Sequence, residues 1–198
     1  MSPHGDPNRA RRPLVAIGLA VIVLTTTACS TTTPGASMTR PAVDTSFTRD
    51  AAQARILEHF TTVLSKVPSA LSLGRAAPKP GLQAEFGDFT VPCNDDNTVH
   101  NGPVNLRVDF WVQGVAAGGE TQAYQVLVQA FRDAGWSTKP DETNTDKITR
   151  AYTPDGYALE LWLNSVGGIS LGASSPCFPA ANDTTTTPQP TTVPHPAG

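Results

Sequence analysis

"VNLRVDFWV", residues 104–112, alternates without a break. Val104, Leu106, Val108, Phe110 and Val112 fall on one face, and Asn105, Arg107, Asp109 and Trp111 on the other. Period two sustained over a whole segment marks a strand with one face on a core. The neighbouring sequence shows what shares that core. Lys147–Tyr152 and Tyr157–Asn164 flank "TPDG", a turn in which proline fixes φ and glycine supplies a positive φ. Tyr157, Leu159, Leu161 and Leu163 share a face, and after "SVGG" the run Ile169–Ser174 turns Ile169, Leu171 and Ala173 inward.

Two segments repeat at helical spacing instead. Thr48–Val67 carries Ala52, Ile56, Phe60, Val63 and Val67 in one stripe, widened by Leu57 and Leu64. Thr48 suits the N-cap, Asp50 the positive end of the helix dipole, and Pro68 the stop. The second, Glu120–Ala134, places Tyr124, Leu127, Val128 and Phe131 together and ends at Gly135, with Trp136 packing back on the helix end. Helices and strands that are each apolar on one side imply an α+β two-layer sandwich: a four-stranded, mainly antiparallel sheet with two helices on one face. In chain order the expected strand arrangement is 2-3-4-1. Residues 68–102 show no periodic element, and 35 structureless residues are long for such a domain. "AEFGDFTV", 84–91, either adds a short edge strand or lies across the sheet.

The ends of the chain differ in kind. Arg9, Arg11 and Arg12 precede the apolar run Leu14–Leu24, the order of an export signal. As a helix that run reaches about 16 Å, roughly half of a hydrocarbon core near 30 Å. It is followed by "TTTAC", which resembles the lipobox of bacterial lipoproteins: Ala28 and Cys29 match, while Thr26 stands where an aliphatic residue is usual. Residues 1–28 are thus expected to be removed, leaving Cys29 lipidated at the head of a Ser/Thr/Pro tether, 29–47. The domain proper is expected over 48–178. Residues 179–198, with six threonines and four prolines after Ala180, read as a disordered tail, solvated or O-glycosylated.

Three cysteines are one too many for an oxidising compartment. With Cys29 lipidated, Cys93 and Cys177 form one pair, the alternative being two buried thiols. Such a bridge closes a loop of about 85 residues and stabilises by roughly 4 kcal/mol in the chain-entropy account. It also makes the first and last strands antiparallel neighbours.

The formal charge is −3, and losing three arginines and one aspartate with the signal makes it −5. A mildly acidic chain without a basic run argues against nucleic acid and anionic lipid as partners. No elbow, zinc, phosphate-loop or dinucleotide motif occurs, and no cofactor or enzymatic activity is expected. His59 sits beside the first helix's apolar stripe and reads as a structural or solvent-facing histidine rather than a base. Asp95, Asp96, Asn97 and His100 are a polar cluster, but they lack the glycine and distal glutamate of a calcium loop, so a solvated loop is expected and no metal. The sheet's second face is more informative. Arg107, Trp111, Glu160 and Trp162 point away from the helices, with Asp109 and Ser170 among them. They form either a binding platform or a minor core under residues 68–102.

The lipobox, the "PC" before the first strand and "GYALELWLNSVGGISLGASSPCF", 156–178, resemble the LppA-type lipoproteins of mycobacteria. The likeness covers most of 48–178 in layout and cysteines. It implies an actinobacterial cell-envelope lipoprotein, for which ten arginines to four lysines are in keeping, and it brings no catalytic residues. The expected function is binding, on the outer side of the cell membrane, of an envelope protein, a lipid or a glycan. The rivals are an envelope hydrolase, using acids such as Asp95, Asp96 and Glu160, and a purely structural surface protein.

Overall fold

The computed structural model describes residues 43, 45–82, 85–93, 102–142 and 146–197. The signal, Cys29 and the cluster of Asp95, Asp96, Asn97 and His100 lie outside the described residues. In chain order the elements are α1 (Arg49–Leu64), β1 (Ser72–Gly74), β2 (Asp88–Pro92), β3 (Val104–Gln113), α2 (Glu120–Asp133), β4 (Ser137–Glu142), β5 (Lys147–Tyr152), β6 (Ala158–Leu163), β7 (Ile169–Ser174) and β8 (Thr192–Val193). The protein is α+β, with an antiparallel sheet in the order β4-β5-β6-β7-β3-β1-β8. The expected 2-3-4-1 arrangement is its centre, β5-β6-β7-β3. The expected number of strands is corrected from four to eight.

The four extra strands have weak patterns for physical reasons. β4, "STKPDE", is a polar edge strand containing a proline, tolerated because one side of it lacks a ladder partner. β1 and β2 follow one another along the same flank of β3. Gly74 lies opposite Trp111 and Asp88 opposite Val108, so the two pieces act as one strand broken by an excursion. The excursion leaves and returns as a narrow pair: Phe86 N–H donates to the Arg75 carbonyl at 2.9 Å, and Ala76 bridges Glu85. With β1 and β2 it spans residues 72–92 of the stretch 68–102, and the end of "AEFGDFTV", from Asp88 on, lies in β2.

Both helices cover one face. α1 buries Ile56, Phe60, Val63 and Leu64, and Phe60 meets Phe110 of β3 edge-on at 5.8 Å. α2 buries Tyr124, Leu127, Val128 and Phe131, with Tyr124 Oη and Thr149 Oγ1 of β5 sharing a hydrogen bond of 2.7 Å. Thr48 caps α1 by accepting from the Ala51 N–H, but the helix stops at Leu64 rather than Val67. Gly135, at φ +77°, turns the chain so that Trp136 stacks on Phe131. Cys93 and Cys177 are bonded, Cα–Cα 6.2 Å, beside the paired Val104 and Phe178.

The tail differs from expectation. Residues 179–197 strap the molecule instead of hanging free. Val193 lies opposite Leu73 as part of β8 and is 6% exposed. Gln53, almost fully buried on α1, donates to the carbonyls of Thr187 and Pro188. Asp50 accepts from the Thr186 N–H and from the hydroxyls of Thr185 and Thr186. Arg49 bridges Asp88 and Asp183, and His195 Nε2 lies 3.0 Å from the Val67 carbonyl oxygen. A Thr/Pro segment cannot build its own core, but its order here is supplied by the polar side of α1.

Candidate binding groove on the helix-free face

Because side chains alternate, the strand registers fix the outer face as rows. Across β6, β7 and β3 one row reads Trp162, Ser170, Trp111, and the next Glu160, Gly172, Asp109, extended by Arg150 of β5. β7 therefore offers only small outward residues, and they make the floor of a trough. Gly172 is required there. A Cβ at this position would stand 2.0 Å from Asp109 Oδ1 and 2.8 Å from Arg107 Nη2, so the bare backbone is what lets the pair lie across the strand.

On that floor runs a chain of ion pairs. Arg107 Nη2 donates to Asp109 Oδ1 at 2.9 Å and to Glu160 Oε1 at 3.0 Å, and its Nε donates to Asp109 Oδ2 at 3.0 Å. Arg150 Nε donates to Glu160 Oε2 at 3.0 Å and its Nη1 to Asp141 Oδ2 at 2.8 Å. Burial opposes the Arg107 charge, but hydrogen bonds and charge from Asp109 and Glu160 outweigh it and hold its pKa above the usual arginine value.

Aromatic rings wall the trough. The excursion brings Phe86 onto Trp111, ring centroids 4.4 Å apart, and Trp111 is only 2% exposed. Trp162 on the far wall is 36% exposed and Phe89 of β2 is 51% exposed. Between them lies an open groove of about 540 Å³, to which Arg107, Asp109, Glu160 and Ser170 contribute. Both readings of the face are therefore realised in part: Trp111 belongs to a minor core under the excursion, whereas Arg107, Glu160 and Trp162 line an open surface. Phe86, Phe89, Arg150 and Gly172 had no separate signal in the sequence. The paired phenylalanines of "EFGDF" and the glycine inside "ISLGAS" are the traces they leave.

His59 is 4% exposed, wedged edge-on between Trp136 and Tyr157, with Asp155 3.2 Å from Nε2 and Arg55 clamping the same carboxylate. Burial pushes its pKa down, and the neighbouring Asp155 only partly opposes this. The position matches a structural histidine. Among the described residues no three His, Cys, Asp or Glu side chains gather as a metal site, and no helix is long and apolar enough to cross a membrane. No family model, curated protein or solved structure matches the chain.

Proposed function

We propose that this is an exported lipoprotein, anchored through Cys29 to the outer side of the cell membrane, whose domain works as a binding module through the helix-free face. The groove between Trp162 and Phe89 carries this reading: large rings stay exposed in a molecule that has covered Trp111. Exposed aromatics clustered around fixed polar groups mark contact surfaces. A carrier for an acyl chain needs an enclosed apolar cavity. The apolar dimple beside Leu71, Val115 and Val126 holds only about 190 Å³, which supports surface recognition over carriage. The lipobox and the resemblance to LppA-type lipoproteins support the location. Metabolic labelling with a palmitate analogue tests the anchor. Label should be lost, and the protein should leave the membrane fraction, in Cys29→Ser; a labelled or still membrane-bound variant contradicts it.

A further inference from the structure

We propose that the groove takes a neutral, hydroxyl-rich saccharide, with a sugar ring laid on Trp162 and its hydroxyls read by Arg107, Asp109 and Glu160. This rests on the reading of the helix-free face as the binding face, and names its ligand. The arrangement of charge and rings carries it. A protein interface has an apolar centre inside a polar rim. Here the order is inverted, with the ion-pair chain along the middle and Trp162 and Phe89 at the sides. Trp162 and Phe89 stand diagonally, three strand spacings (about 14 Å) apart across the sheet and four residues (about 13 Å) apart along it. A ligand that fits must be polar at its edges and apolar on its flat faces, and a pyranose ring is both.

Charge narrows the class further. Two guanidiniums face three carboxylates, and Arg107 and Arg150 are each forked between two of them. Among the described residues lining the groove the one cation, Arg107, is already paired, so acidic sugars and nucleotides fit poorly. An acyl chain would lie on charged side chains and desolvate them without compensation. The same fixed groups are suited to hydroxyls, which accept from the guanidiniums and donate to carboxylate lone pairs. Asp109 is 8% exposed and Gly172 sets the pair flat, so the reading atoms are held before any ligand arrives. A volume of about 540 Å³ lies within the roughly 300–1,000 Å³ usual for small-ligand sites.

The test uses the full chain in a detergent that carries no sugar headgroup. It is applied to arrayed neutral gluco-, manno-, galacto- and arabino-oligosaccharides, and hits are titrated by tryptophan fluorescence with palmitate as the apolar counter-probe. Trp162→Ala and Phe89→Ala remove exposed rings and should fold as the parent does, checked by thermal melting. The expected result is retention of at least one neutral oligosaccharide, weakened at least about tenfold in Trp162→Ala. Absence of any neutral saccharide from the array overturns the inference, and so does binding that both variants leave unchanged. Palmitate binding that Trp162→Ala abolishes would overturn the saccharide while leaving the binding face in place. If no probe binds and a photo-crosslinker at residue 162 captures nothing in the membrane, both readings fall.

Discussion

Trp111 and Trp162 sit on the same row of the same face, and the structure gives them opposite fates. Trp111 is sealed under Phe86, so Trp111→Ala opens a cavity and should cost about 3–5 kcal/mol. Trp162→Ala removes a ring already in water and should cost under about 1 kcal/mol. Urea unfolding of both variants checks this, and equal large losses would mean that Trp162 too is covered. Gly172 makes a second prediction. Its missing side chain is the space in which Asp109 and Arg107 lie, so Gly172→Ala must displace them at a cost of about 1–3 kcal/mol, although alanine suits a strand no worse than glycine. A chevron or melting curve unchanged from the parent would show that the ion-pair chain is not held as described. The contrast between the tryptophans was not readable from residues 104–112. Alternation shows which face a side chain takes, while the cover comes from a loop with no period of its own.

The elements whose sequences carry a clear period are those the sequence showed: α1, α2, β3, β5, β6 and β7, with the β5-β6-β7-β3 order implied by short turns and the cysteine pair. The others lack a pattern because their order is borrowed. β1 has three residues, β4 is polar, and β8 exists because β1 and α1 hold it. The tail is thus a test of α1 as much as of itself. Its three acceptor contacts at Asp50 hold that carboxyl down to about 2. The Asp50 contribution is then full above an ordinary carboxylate pKa near 4 and fades as pH falls toward 2. At neutral pH, limited proteolysis should leave residues 184–197 intact in the parent and cut them in Asp50→Ala with Gln53→Ala; equal cleavage would mean that the strap is not closed in solution. α1 also carries His59. Its folded pKa lies below the unfolded value near 6.5, so the unfolded chain binds the extra proton. Stability is therefore complete above about pH 6.5 and falls as pH drops below it, with Asp155, Arg55, Glu58 and Tyr157 the neighbours that shape the slope. Melting temperature should decline from pH 7 to pH 5 in the parent and decline less in His59→Gln. A parent insensitive over that range would contradict the buried neutral imidazole.

At the scale of the molecule the two faces of the sheet do different work. One is closed by helices and by the tail laid over α1, and the disulfide ties β2 and β7 at one end. The other is only half closed, and its open half gathers the exposed rings and the ion-pair chain. A two-layer sandwich with one uncovered sheet face has an edge and a surface to protect. Here β8 covers the β1 edge and Pro140 interrupts β4 at the opposite one, and the groove is a place where apolar surface meets water. The central claim is that the groove is occupied in the cell. Hydroxyl-radical footprinting of intact cells against the purified protein tests it most directly, with Tyr152, exposed on the same face but not lining the groove, as internal reference. Oxidation of Trp162 and Phe89 relative to Tyr152 should be lower in cells than in the purified protein. The same ratio in both would mean that nothing sits on the rings and would contradict the groove as a binding site.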